Sequence, residues 1–359
     1  MSDPGTRDAL FKALEIIGKN PVLRKRMIDE CKTIERTLEY LPNHSIRDEI
    51  TAPIVDALHS DVGVLRKELS TGLLFDFYYR SKIAREFVMS TPETPDHVWE
   101  PQTTKLLVHL AGRSRQVLVG GGYFGDHVVP IARELGRRGG TCHAFELNAE
   151  QAEMLRHNAA LNGLDNVVVN QLGLWSDDST ELSLEGEDSF AFPKASGESQ
   201  PGAFNTLTID TYLKQRGVDK LDLIMLDIEG GEFEALKGAE SHLSRPAGEA
   251  PNIVFEVHRS YVDWSNGLGR TPIVQHLVSR GYLIHAVRDF QANHDMKDKP
   301  IELIPLDTVY LEGPPHGFNL LAVKDPSIVR EGIFRICPGV SPKLLIHKSP
   351  ALHHPSDGL

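Results

Sequence analysis

Cysteine is scarce in this 359-residue sequence: Cys31, Cys142 and Cys337 are far apart and odd in number. That excludes a disulfide framework and offers no zinc-ligand spacing. No apolar run approaches the roughly 18 residues that cross a bilayer, so no membrane partner is expected. The opening residues, MSDPGTRDALFKALEIIGKNP, carry acids early and lack a hydrophobic segment with a small-residue cleavage site. They do not read as a secretory signal, and a reduced, cytoplasmic setting is the expectation. Basic charge is in deficit, with 38 Lys and Arg against 50 Asp and Glu for a net charge of −12. Nucleic acid is thereby disfavoured as a partner, because affinity for phosphates comes from Lys and Arg. The remaining composition, 40% hydrophobic and 25% charged, is that of an ordinary globular chain with ample length for a core.

Three regions follow one another. Residues 1 to about 105 show little strand-like alternation. ALFKALEIIG (9–18), PVLRKRMIDECKTIERTLEYL (21–41) and FDFYYRSKIAREFVM (75–89) instead place apolar residues three and four apart. That spacing predicts helices, and the region 1–105 is expected to serve as a helical cap or a homodimer contact. Pro92, Pro95 and Pro101 punctuate the connector behind it, where helices stop. From 106 to 325 short β-branched runs alternate with helical patterns. The runs are QVLVGG (116–121), TCHAFEL (141–147), NVVVNQL (166–172), LDLIMLDI (221–228), NIVFEVH (252–258), YLIHAVR (282–288) and FNLLAVK (318–324). Such alternation predicts an α/β fold with a parallel sheet and right-handed crossovers. The polar stretch 176–205 reads as a loop or excursion, and 326–359 as an irregular tail containing Pro and His.

In QVLVGGGYFGDHVVPIARELG a buried strand runs into glycines and a helix begins at once. Gly120, Gly122 and Gly125 satisfy G-x-G-x-x-G, and Glu146 ends the next strand 21 residues later. Such glycines let the backbone pass close to a ligand, and an acid at that distance accepts hydrogen bonds from ribose hydroxyls. A nucleotide-type cofactor is therefore expected, although the loop alone does not choose it. NAD would set its pyrophosphate on the helix N-terminus. S-adenosylmethionine (SAM) would need room for an amino-acid carboxylate and a sulfonium.

The segments VLVGGGYFGDH, FELNAEQAEMLRHNAALNGLDNVVV, TLTIDTYL, LIMLDIEGGEFEALKGAESHL and NIVFEVH, in that order, resemble the FkbM family of SAM-dependent methyltransferases over roughly 116–325. The most specific is LDIEGGEFEALKGA, close to that family's D-x-E-G-x-E-x-x-x-L-x-G-A. The resemblance implies a Rossmann-like class I methyltransferase sheet of seven strands, the last antiparallel and matched by FNLLAVK. It also implies SAM as cofactor and O-methylation of a hydroxyl on a small metabolite or sugar. Position by position it sets Gly121, Gly122, Tyr123 and Gly125 along the methionine half of SAM and Glu146 on the ribose. Leu147 and the Leu172–Gly173 turn would flank the adenine, and Glu100 and Thr103 resemble a segment that reaches the cofactor. There are two departures. The family's Asp two residues before the first loop glycine is Val119 here, and its basic residue two before the fourth-strand Asp is Met225. The first removes a carboxylate that helps orient the loop and the cofactor's ammonium group, so weakened or rearranged SAM binding is an expectation.

Methyl transfer from a sulfonium is an in-line displacement that depends mainly on positioning. A hydroxyl of high pKa also benefits from a base or a metal. Candidates at the carboxyl edge of the sheet are Asp227, Glu229, Glu232, Glu256 and His258. His258 is the expected base because its pKa lies near working pH, with Asp227 and Glu229 orienting the substrate. Glu256, Tyr261 and Trp264 are expected at the acceptor. Plainer readings stand beside these: Asp227 as a helix N-cap, Glu229 and Glu232 as acids favoured at a helix start, Glu256 and His258 as a structural pair on one strand face. A divalent metal on Asp227, Glu256 and His258 is chemically reasonable, mixed ligands suiting Mn, Fe or Zn better than Mg. The spacing is not diagnostic, and no metal is predicted. Two other readings stay open. An NAD-dependent oxidoreductase leaves DIEGGE without a role, and a non-catalytic module of the same fold is motivated by Val119.

Overall fold

The structure, a computed structural model, describes residues 4–38, 45–185, 192–195, 203–290, 292–311 and 317–346. Helix α1 (Pro4–Gly18) is followed by α2 (Pro21–Thr37), where Asn20 Oδ1 accepts the amides of Val22 and Leu23 and Pro21 takes the first helical position. Both are standard start signals. In the turn that leads into α3 (Ala52–His59), Arg47 is buried between Glu35 of α2, at 2.6 Å, and Glu86, which ties α2 to the segment beyond.

The expected helix over 75–89 is only half there. Strands β1 (Val64–Glu68) and β2 (Leu74–Tyr78) form an antiparallel hairpin, and α4 (Lys82–Val88) begins at the Ser81 cap. The reason is a period of two: Phe75 and Phe77 turn inward against Phe87 and Phe124, while Asp76 between them meets Arg66 and His157. Because Phe124 belongs to the glycine loop, this region is packed directly on the predicted cofactor segment.

Next in order come α5 (Pro101–Ala111), β3 (Gln116–Gly120), α6 (Val128–Gly136), β4 (Thr141–Phe145), α7 (Ala149–Leu161) and β5 (Val167–Asn170). The excursion expected as a loop instead holds a small sheet of β6 (Gly173–Leu174), β7 (Glu181–Glu185), β8 (Phe192–Ala195) and β9 (Phe204–Leu207). Its residues 186–191 and 196–202 lie outside the described ones. The chain resumes with α8 (Ile209–Arg216), β10 (Leu223–Leu226), α9 (Glu232–Lys237), α10 (Glu240–Leu243), β11 (Asn252–Val257) and α11 (Pro272–Val278). It closes with β12 (Leu283–Val287), β13 (Asp289–Phe290), β14 (Ile301–Pro305), β15 (Phe318–Val323), β16 (Phe334–Ile336) and β17 (Lys343–Leu344).

The main sheet runs β16-β14-β12-β15-β11-β10-β3-β4-β5. All seven predicted strands are in it, and β15 is antiparallel to both neighbours. Strands β14 and β16 lengthen one edge, so the sheet has nine strands among the described residues rather than seven. The tail is correspondingly not irregular throughout, since β16 joins β14 and β17 pairs with β13. Its histidines His347, His353 and His354 lie outside the described residues. Alternation along the strands fills both faces. Val117, Val119, Leu223 and Met225 pack toward Leu106, Leu110, Ile131 and Leu135 of α5 and α6. Leu118, Ile224 and Leu226 pack toward Leu213, Leu236 and Leu277 of α8, α9 and α11. From β3 the chain steps outward to β4 and β5, then returns to β10 and β11 on the other side. A crevice opens at the carboxyl ends where that order reverses.

Candidate active site

A cavity of about 410 Å³ occupies that crevice, within the size range of small-molecule sites. Gly121 forms its floor at φ +80, and a Cβ there would fall 1.8 Å from the Asp227 carbonyl oxygen. Only glycine permits both the left-handed backbone and that approach. Gly122 and Gly125 act differently from expectation. Neither lines the cavity; their missing Cβ atoms make room for Leu155, which lets α7 approach the loop. Among the described residues four non-glycines have positive φ, and three of them, Glu100, Tyr123 and Glu229, border this cavity.

One end suits an adenosine. Leu147, Leu172, Leu174, Leu182 and Leu184 surround it with Phe145 and Gly173. Glu146 accepts the amides of Tyr123 and Asn148, each at 2.8 Å, which fixes its carboxylate at the cavity wall.

Next to Gly121 stand Glu100 and His127. Glu100 is the N-cap residue of α5 but makes no capping bond. Asp289, 187 positions beyond Gln102, accepts the Gln102 and Thr103 amides at 2.9 and 2.7 Å in its place. The Glu100 carboxylate is thereby released to the cavity, where Asn319 Nδ2 meets it at 2.8 Å. Thr103, expected at the cofactor, is fully buried behind this wall instead.

The tautomer of His127 follows from its neighbours. Thr104 spends its hydroxyl proton on the Trp99 carbonyl, so Thr104 Oγ1 accepts from His127 Nδ1 at 3.0 Å. Nε2 is left at the other end of the ring, buried, without a hydrogen-bond partner and 3.6 Å from Glu100 Oε2. Burial alone would depress the ring's pKa, but the charges of Asp126, Glu100 and Asp227 outweigh it and lift it to about 9. The stabilisation gained from a raised histidine is complete below its unfolded value of 6.5 and lost as pH rises through about 9. The stability advantage of the wild type over His127→Gln should therefore shrink, by on the order of 2 kcal/mol, between pH 6.5 and 9. Urea denaturation across that range checks it, and a constant gap would remove the imidazolium.

At the opposite end Asp227, Glu229 and Glu256 bring carboxylate oxygens within 4.8 Å of one another. Burial, then the charges of Glu100, Glu229 and Glu232, holds the Asp227 carboxyl well above the usual carboxylate range. Glu256 is raised likewise by burial and by Asp227. Burial pushes Glu229 only to about 6, because a hydrogen bond from Tyr261 favours its ionised form. Glu232 turns back on its own helix start and accepts the amides of Ile228 and Gly230, the structural reading of that residue. Gly317 closes the corner, and a Cβ on it would sit 1.8 Å from Glu256 Oε1 and 3.1 Å from the His258 ring. Gly317→Ala should drive the Glu256 carboxylate out of place and lower turnover at least about tenfold. Its melting temperature should stay near that of the wild type, and a fully active variant would remove Glu256 from the site.

Residues 120–297 match the family model described as Methyltransferase FkbM domain. The chain carries an FkbM methyltransferase domain. No curated protein matches the sequence. Among solved structures, the O-methyltransferase from Bacillus cereus in complex with SAH shares 18% identity over 68% of this chain and 92% of that one, with a TM-score of 0.36. TomG from Streptomyces achromogenes, an O-methyltransferase of tomaymycin synthesis in complex with SAM, shares 14% over 68% and 91%, TM-score 0.36. The methyltransferase FkbM of Methylobacillus flagellatus KT shares 14% over 58% of this chain and 43% of that one, TM-score 0.35.

The FkbM domain gathers most of the predicted residues in one cavity: Gly121, Tyr123, Glu146, Leu147, Leu172, Gly173, Asp227, Glu229, Glu256, His258 and Tyr261. Two further expectations need correction. Trp264 does not reach the cavity; its indole is buried against Phe318 in the sheet core. His258 is in place but poorly made for a base. Its Nδ1 accepts the Ser260 amide at 3.0 Å, so the neutral ring carries its proton on Nε2 and has no lone pair left to offer. Burial and nearby Lys343 also lower its pKa. The structure further adds His127, which reads from the sequence as a surface or packed histidine, and Asn319, which that reading passed over. His127 is the second residue after the glycine motif, a position that could have flagged it; Asn319 lies beyond the matched residues 120–297 and carried no signal.

Proposed function

We propose that this chain transfers the methyl group of SAM to a hydroxyl oxygen of a small, uncharged metabolite or sugar. The observation that supports it is one cavity with a leucine-lined apolar end beside Glu146, a paired Glu100 and His127 beside the glycine loop, and three carboxyl groups at the far end.

The residues present fit SAM. Glu146 takes the ribose hydroxyls, the leucines hold the adenine, and Gly121 lets the methionine chain pass Asp227. An amino acid's zwitterion matches the Glu100–His127 pair, ammonium on the carboxylate and carboxylate on imidazolium Nε2. When bound, SAM supplies an electrophilic methyl. The protein holds the acceptor oxygen in line with it and receives the hydroxyl proton. Glu229 serves as that base: at neutral pH it is ionised, whereas Asp227 and Glu256 hold protons more tightly. Tyr261, hydrogen-bonded to Glu229, orients it. The ionised Glu229 makes the acceptor end repel anions, so phosphorylated and carboxylated acceptors are disfavoured. NAD fares worse, because Glu100 and Asp227 would face its pyrophosphate.

Calorimetric titration with S-adenosylhomocysteine and, separately, with NADH tests the cofactor. Micromolar binding of the first alone is expected. Binding of NADH alone would overturn the reading, and silence from both would turn the chain into a non-catalytic module.

A further inference from the structure

A second cavity of about 490 Å³, also within the size range of small-molecule sites, adjoins the crevice. Pro101, Thr104, Lys105 and Val108, three and four residues apart, turn one face of α5 to it. The turn between β1 and β2, the connector before α5, helix α6 and residues 296–297 supply the other walls. The first turn of α5 divides the two cavities. Glu100 and His127 line the first, while Thr104, which bonds His127 at 3.0 Å, lines the second. Leu69, Leu73, Val108, Pro130 and Met296 make much of the second lining apolar.

Charge there runs against that of the whole chain, which is −12. Lys105, Arg133, Arg137 and Lys297 line the cavity beside two acids, Asp96 and Glu134. Both acids are already spent. Asp96 accepts the Met296 and Lys297 amides at 3.0 and 3.1 Å and meets His97 Nδ1 at 2.6 Å. Burial would raise its carboxyl, but these bonds outweigh it and bring it down to about 2. Glu134 pairs with Arg137 at 2.5 Å, and Lys297 has Asp295 at 3.7 Å. Lys105 and Arg133 are left over. They donate to backbone carbonyls, Lys105 to those of Lys297 and Lys299 and Arg133 to that of Thr71, and neither forms an ion pair among the described residues.

A second observation is independent of those cations. His97 also lines the cavity while only 2% exposed, and its Nε2 has no hydrogen-bond partner. Because ionised Asp96 takes the Nδ1 proton, Nε2 of the neutral ring presents a lone pair. A buried acceptor left bare is costly, and a donor brought into the cavity relieves it.

We propose that this cavity is a second ligand site, taking a small organic anion with an apolar body. Lys105 and Arg133 receive the anionic head, the apolar lining covers the body, and His97 Nε2 accepts a hydrogen bond from an N–H or O–H of the ligand. Such a molecule has the charge that the acceptor end turns away, so the site is not an extension of the acceptor pocket. It goes beyond the methyltransferase reading and does not depend on it.

The probe is 8-anilinonaphthalene-1-sulfonate, which combines apolar rings, one sulfonate and one N–H and fluoresces on leaving water. Full-length protein is titrated with it, with and without saturating S-adenosylhomocysteine. One saturable site that persists beside S-adenosylhomocysteine is expected. Arg133→Gln should weaken it at least tenfold, and so should Val108→Trp, which fills the cavity from α5. Arg133 is exposed and serves alone should the tryptophan variant fail to fold. Arg138→Gln, which removes the same charge from an exposed position outside the cavity, should leave the affinity unchanged. Octanoate should displace the dye, and octanol at the same concentration should not. Loss of the dye to S-adenosylhomocysteine would place it in the crevice and overturn the site. Equal affinity in the wild type and Arg133→Gln, or equal displacement by octanol and octanoate, would overturn the anion. Failure of S-adenosylhomocysteine to bind would count against the methyltransferase alone, because the variants locate the dye without it.

Discussion

Glu229→Gln is expected to lower the turnover of methyl transfer by about 10²–10³-fold, within the range for loss of a positioned base. Its affinity for S-adenosylhomocysteine should change little, because Glu229 faces the acceptor and the adenosine end is built from other residues. The substitution keeps size and shape and removes the charge. It also keeps an oxygen for the bond from Tyr261, so a folding defect is not the expected result. Single-turnover assays with saturating SAM, alongside calorimetry, separate the two quantities. Near-normal turnover would move the base to another residue. The same assay on His258→Ala should show a much smaller loss, since that ring has spent its acceptor nitrogen on Ser260.

The second large effect concerns the two departures from the family pattern. Val119 and Met225 are register partners on β3 and β10, and both are wholly buried in the layer under α5 and α6. An acid at the first position and a base at the second would be neighbours there. Here the two positions hold an apolar pair, and an apolar pair in place of a buried ion pair is often neutral or stabilising. Restoring only one member should be harmful: Val119→Asp or Met225→Lys buries an unpaired charge, at a cost of about 3–5 kcal/mol. The double variant should recover a large part of that loss. Denaturant unfolding of the four proteins completes a double-mutant cycle, and strictly additive losses would refute the coupling. The weakened SAM binding expected from Val119 alone does not follow from this geometry. Glu100 brings a carboxylate to the cofactor loop from another element.

What could be read in the sequence, and what could not, divides by range of interaction. The central strands announce themselves because LIML, QVLV and NIVFEV are apolar enough for burial on both faces. The glycine loop and Glu146 are legible because their spacing follows from ligand geometry. Strand β2 was hidden by an aromatic run leading straight into a real helix, and β16 and β17 are too short to show a period. The Glu100 wall was legible only in part, since it depends on Asp289 and Asn319, which meet it from 187 to 219 positions away. His258 shows a different limit. Its place on the strand was correct, but its protonation is decided by one backbone amide of Ser260, and composition carries no trace of that. Trp264 was expected at the acceptor as an aromatic in a loop at the right edge; the loop returns it to the core.

A cut in the chain between Ile336 and Pro342 would leave the central sheet intact and still reach the cofactor. The Pro342 carbonyl holds the Asp289 amide at 2.9 Å, and β17 lies along β13. Asp289 in turn clasps the first turn of α5. With that grip gone, the turn frays from its end and Glu100 loses its aim. Residues 342–344 are thus expected to tune cofactor affinity from a distance, in the way a guy-line sets the angle of a mast it touches only at the top.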